Sequence, residues 1–112
     1  IAQKYDATLQ DFPMVCPLVR EGCSHAYHLY VIIVDRRDEL IQFLKKNNIL
    51  AGIHYSPPVH KMPAYADYLP AGSDLLQTDA LADRVLSIPI YPELTADEQD
   101  LVVSTIRTFY FP

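Results

Sequence analysis

From residue 27 to residue 34 the chain reads Tyr-His-Leu-Tyr-Val-Ile-Ile-Val, dense in β-branched and aromatic side chains at both alternating sets of positions. That density predicts a central strand covered on both faces. At the start of the chain Ile1, Tyr5 and Leu9 recur every four residues, the stripe of a helix that the Pro13 region brings to an end. Residues 1–8 therefore read as the end of a connecting helix. Residues 14–19 alternate weakly around Pro17 and suit only an edge strand, because proline has no N–H for a central ladder. Residues 20–24, with Gly22, read as a turn.

Beyond the central strand, Asp35 followed three residues later by Asp38 approaches a capping box, with both carboxylates favoured by the positive end of a helix. Leu40, Ile41 and Leu44 form one helical stripe, Asn47-Asn48 offers a left-handed stop, and residues 49–55 read as a returning strand. This strand, helix, strand unit predicts a mixed sheet. Residues 56–69 hold Pro57, Pro58 and Pro63 and read as a stiff loop rather than a helix. Thr78 can cap a short helix with Leu81, Ala82, Val85 and Leu86 on one face, and residues 88–92 form a proline-broken extended piece. Thr95 with Glu98 is a capping box, opening a terminal helix on which Val102, Ile106 and Phe109 share a face. The fold class is α+β, a small mixed sheet with helices packed on it.

Composition narrows the function classes. The chain has 112 residues, half of them hydrophobic and 21% charged, which fits one packed domain with a folded surface of about 6,200 Å² and excludes disorder as its main state. Nine basic against fourteen acidic residues leave a net charge of −5, with no basic cluster longer than Arg36-Arg37 or Lys45-Lys46, so no nucleic-acid partner is expected. The longest apolar run, residues 29–34, is far short of the roughly 20 residues of a membrane-spanning helix. Cys16 and Cys23 are too few for a disulfide framework and suit a reducing cytoplasm. The opening on Ile1, without initiator Met or leader, reads as one domain cut from a longer polypeptide.

The strongest chemical candidates lie in residues 54–65. His54, Tyr55, His60, Lys61 and Tyr65 sit among prolines, an arrangement that offers donors and acceptors with little entropy to lose when a polar ligand binds. The plainer alternative is a proline-stapled surface loop with its aromatics packed into the core. His54 and His60 flank the loop and can converge, yet no carboxylate or cysteine lies nearby in sequence to complete a zinc site. His25 and His28, at odd spacing beside a strand, point to opposite faces and are read as structural, as are the two cysteines. No glycine-rich phosphate loop is present.

In order along the chain, Tyr27-His28-Leu29-Tyr30-Val31-Ile32, Arg37-Asp38-Glu39-Leu40, Ile53-His54-Tyr55, Pro58-Val59-His60, Pro63-Ala64-Tyr65, Leu86-Ser87-Ile88-Pro89 and Leu94-Thr95-Ala96-Asp97-Glu98-Gln99 resemble the small C-terminal domain of the DegT/StrS-type nucleotide-sugar aminotransferases. These are fold type I enzymes that use pyridoxal phosphate. The resemblance runs from about Ile1 to Tyr110, so residues 1–112 read as a single C-terminal small domain. It implies transfer of an amino group from glutamate to the keto group of a nucleoside-diphosphate deoxysugar, in a full-length protein that is a homodimer. The Schiff-base lysine and the cofactor site belong, in the family, to a large domain outside this chain, so the chain alone is expected to be inactive. Lys61 is the only conceivable substitute, and a proline loop gives it no buried pocket.

By the same resemblance His54, Tyr55 and His60 face the sugar nucleotide. Two positions depart from the pattern: Ser56 stands where proline is common, and Thr78-Asp79 replaces a frequent Thr-Glu. A free-standing small-molecule-binding module and a purely structural dimerisation domain are the alternative readings.

Overall fold

A computed structural model describes residues 1–68 and 74–112. Helix α1 (Ala2–Leu9) leads to the edge strand β1 (Met14–Val15), and a long connection follows to the central strand β2 (Tyr30–Val34). After α2 (Arg37–Lys46) the chain runs outward through short 3-10 turns at Val59–Lys61 and Pro63–Tyr68. It returns as α3 (Leu76–Ala82), β3 (Val85–Ile88) and α4 (Ala96–Tyr110). The three strands are in the order β1-β2-β3, with Met14 opposite Val34 and Ile32 opposite Leu86.

The α+β class and the central position of the 27–34 strand hold, although the strand itself begins at Tyr30. The sheet is antiparallel, not mixed. Residues 49–55 do not pair as a returning strand; they make one antiparallel bridge, in which Gly52 N donates to Ser87 O at 2.9 Å and Ser87 N to Gly52 O at 2.8 Å. The partner this bridge meets is β3, where the sequence suggested the end of a helical face: Val85 and Leu86 pair with Ile33 and Ile32 of β2. Long-range pairing overrides the local helical spacing there.

Alternation along β2 places Tyr30, Ile32 and Val34 in the core, and they form one cluster with Tyr5 and Leu9 of α1, Leu40 and Leu44 of α2, and Val102, Val103 and Ile106 of α4. Val31 and Ile33, on the opposite face, are only half-buried, so the expected cover on both sides is incomplete. Polar groups drawn into the core are satisfied: the Tyr30 hydroxyl donates to Asp6 Oδ1 at 2.5 Å, the Tyr5 hydroxyl to Pro89 O at 2.9 Å, and buried Arg37 donates through Nη1 to Ala82 O at 2.7 Å.

Helix ends divide into those read correctly and those not. Thr95 and Glu98 make the reciprocal capping box at the start of α4, and Asn48, at φ 60°, follows α2 in the left-handed conformation. Asp35 does not cap α2; Arg36 does, at φ 58°, and Asp35 pairs instead with Arg84 at 3.0 Å. Thr78 lies inside α3, whose N-cap is Leu75. The expected loop over 56–69 contains two 3-10 turns, the second opening on Pro63, where a proline costs no hydrogen bond; Leu69 lies outside the described residues.

The chain is wider than a self-contained globule of its length. Its radius of gyration is 15.9 Å against about 13 Å expected for 112 residues. The accessible surface of 7,788 Å² likewise exceeds the area expected from chain size alone. Leu18, at 90% exposed, and Tyr55 and Tyr68, at 78% and 80%, lie on the two long connections that project from the core.

Candidate functional site

The outward arm begins at the Gly52 bridge. A side chain at Gly52 would place its Cβ 2.9 Å from His54 Cε1, so this glycine makes the room in which the His54 imidazole folds back on the sheet edge. There His54 Nδ1 and Ser87 Oγ are 2.9 Å apart. The Tyr55 ring follows, edge-on to His54 at 5.4 Å between centroids, and projects into solvent. The peptide bonds His54-Tyr55 and Ser56-Pro57 are cis.

Further out, the 3-10 turn Val59–Lys61 is closed by Lys61 N donating to Pro58 O at 2.9 Å. It directs two consecutive side chains at one carboxylate: His60 Nε2 and Lys61 Nζ each lie 2.8 Å from Asp79 Oδ1 on α3. The Lys61 ammonium, and after it the His60 ring, hold the Asp79 carboxyl below the usual carboxylate range against the opposing effect of desolvation. His60 is mostly buried by this clamp, with 13% of its side chain exposed.

Between the two 3-10 turns and α3 lies an open cleft of about 650 Å³, walled by Tyr55, His60, Met62, Tyr65, Tyr68 and Leu75 among others. Such a mostly apolar hollow with a few polar groups at its wall is the usual form of a small-molecule site. Tyr55 and His60 share it. His54 does not: it lines a separate depression of about 260 Å³ with Gly52 and Ser87. The two flanking histidines thus do not converge, and among the described residues no group of three or more His, Cys, Asp or Glu side chains is placed to hold a metal ion.

Sequence reasoning singled out His54, Tyr55 and His60 but not their partners. Ser87 and Asp79 stand 33 and 19 residues away, and Asp79 registered only as a helix-start carboxylate. Two other candidates have structural surroundings: His25 accepts from Tyr27 N at 2.8 Å, and burial pushes the Cys16 thiol above its ordinary value, away from reactivity.

The sequence pattern of the DegT/DnrJ/EryC1/StrS aminotransferase family matches residues 1–107. The chain belongs to this family. The erythromycin biosynthesis sensory transduction protein EryC1 of Saccharopolyspora erythraea is 38% identical to it over 109 residues, covering 96% of this chain and 30% of that protein. The dTDP-3-amino-3,4,6-trideoxy-alpha-D-glucose transaminase of Micromonospora megalomicea is 36% identical over 112 residues, again covering 96% and 30%. Among solved structures, DesV of S. venezuelae superposes with a TM-score of 0.92 at 31% identity, covering 99% of this chain and 30% of that one. The chain spans about 30% of the length of these DegT-family relatives.

Membership implies pyridoxal phosphate for the family as a whole, and the lysines of this chain are ion-paired or exposed. Lys4 pairs with Asp100 at 2.6 Å, Lys61 pairs with Asp79, and Lys45 and Lys46 are exposed in the last turn of α2. Among the described residues, no helix is long and apolar enough to cross a membrane.

Proposed function

We propose that the chain is the C-terminal small domain of a pyridoxal-phosphate-dependent aminotransferase, which moves an amino group from glutamate to the keto group of a nucleoside-diphosphate deoxysugar. The observation that carries this reading is the proline-stiffened arm holding Tyr55 and His60 at an open cleft, on a chain that matches the aminotransferase family over residues 1–107. Pyridoxal phosphate, held by the rest of the full-length homodimer, supplies the electron sink of the reaction. This chain supplies recognition. Tyr55 and His60 contact the sugar nucleotide from the cleft, and His54 contacts it from the sheet edge. Alone, the chain does not transaminate. The free thiols of Cys16 and Cys23 support a reducing, cytoplasmic setting.

The test uses the full-length protein and separates the two half-reactions. His60→Ala should raise KM for the keto-sugar nucleotide by about two- to a hundredfold, the range from losing one hydrogen bond to a neutral group up to losing one to a charged group. The half-reaction with glutamate, which leaves the sugar site empty, should keep its rate. Equal damage to both half-reactions would overturn the substrate-facing role. Failure of the full-length protein to aminate any nucleoside-diphosphate keto-sugar would overturn the function.

A further inference from the structure

The clamp at Asp79 restricts how His60 can meet a ligand. An ionised carboxylate only accepts hydrogen bonds, so the 2.8 Å contact places the proton on His60 Nε2. Lys61 lies on the same carboxylate oxygen and already balances its charge. With its proton held on Nε2 by this contact, the neutral imidazole carries its lone pair on Nδ1. Among the described residues it has no hydrogen-bond partner, and no buried side-chain nitrogen or oxygen is left unpaired, so Nδ1 remains open to a ligand.

We propose that Asp79 is the positioning residue for His60, fixing the tautomer that presents Nδ1 as an acceptor, and that the ligand group received there is a hydroxyl donor of the sugar, not a phosphate oxygen. A phosphate oxygen has no proton to offer this nitrogen, whereas a sugar hydroxyl has one. The inference rests on His60 facing the substrate. It adds which residue orients the ring and which part of the substrate meets it.

In the full-length protein, Asp79→Ala should raise KM for the keto-sugar nucleotide about three- to tenfold with kcat kept within about twofold, because the hydrogen bond is disordered rather than deleted. Asp79→Glu, which restores a carboxylate, should bring KM back to within about twofold of the parent. In a His60→Ala background the Asp79→Ala change should add less than about twofold, since its whole effect passes through His60. Imidazole 15N shifts of His60 should show Nε2 alone protonated in the parent and a tautomer mixture in Asp79→Ala. Should that variant fail to fold, isosteric Asp79→Asn gives the same readout, because its amide offers a donor as well as an acceptor.

If His60→Ala raises KM while Asp79→Ala does not, the positioning role is wrong and the substrate-facing reading stands. If His60→Ala leaves KM unchanged, both fall. A ring with both nitrogens protonated, or with the proton on Nδ1, overturns the assignment of a hydroxyl donor whatever the kinetics show.

Discussion

Tyr30 and Tyr68 lie in one short chain, yet Tyr30 has no accessible surface while Tyr68 is 80% exposed. Around Tyr30 the chain spends its apolar residues on itself: Tyr5 packs at 5.0 Å between ring centroids, and the phenol donates to Asp6. Around Tyr68 the arm leaves Tyr55 and Val59 open and is tied down by polar contacts at its base, Asp79 to His60 and Lys61, and Ser87 to His54. The first region uses hydrophobic burial for stability. The second uses a few directional bonds to hold apolar side chains in place while keeping them accessible, the arrangement expected of a recognition surface carried on a rigid scaffold.

The sharpest way to break this contrast is a charge in the first region. Ile32 is fully buried in the middle of β2. An unpaired carboxylate there costs several kcal/mol, comparable with the roughly 5–15 kcal/mol that holds a domain of this size together. Ile32→Asp should abolish the cooperative urea transition followed by circular dichroism. A folded variant with a normal midpoint would show that the sheet is not the source of stability.

The same contrast governs what could be read from sequence. The α1 stripe, the centre of β2, the stop at Asn47-Asn48 and the Thr95 cap were legible because each is written in residues close to one another. The β3 strand was not, since four residues beside a helical stretch become a strand only through partners on β2 more than fifty positions earlier. The mixed sheet failed for the same reason: the single bridge at Gly52 depends on Ser87. In the arm, residue types and prolines marked the segment that carries the candidate side chains. Which side chains share a cleft depends on contacts with α3 and β3, and those separate His54 from Tyr55 and His60.

A smaller effect tests a local term on the core side. Thr95→Ala removes the hydroxyl that accepts from Glu98 N at 3.2 Å and donates to Glu98 Oε2 at 2.8 Å, and should lower stability at neutral pH by about 1 kcal/mol. The Thr95 backbone N–H, and then its hydroxyl, hold the Glu98 carboxyl below its usual 4.5. A carboxyl lowered in the folded state adds stability that is present above the unfolded value and lost as pH falls through the folded one. The difference between the parent and Thr95→Ala should therefore narrow as pH drops below 4.5. A constant gap in urea midpoints across that range would show that the hydroxyl–carboxylate bond contributes nothing.

The smallest effect belongs to the arm. Tyr68 is 80% exposed, its ring centroid 6.1 Å from that of Tyr65, and it ends the second 3-10 turn outside the buried cluster. Replacing it by serine removes a large ring that already faces water, so little apolar surface changes its environment and unfolding should shift by no more than about 0.5 kcal/mol. The measurement is the urea midpoint at unchanged slope, because a changed slope would mean that the arm alters the surface exposed on unfolding. A loss above about 1 kcal/mol, well beyond the ordinary range for surface positions, would place the arm inside the cooperative core and erase the division between Tyr30 and Tyr68. A null result in the isolated chain, joined to a raised KM for the sugar nucleotide in the full-length protein, would leave Tyr68 serving recognition without supporting the fold.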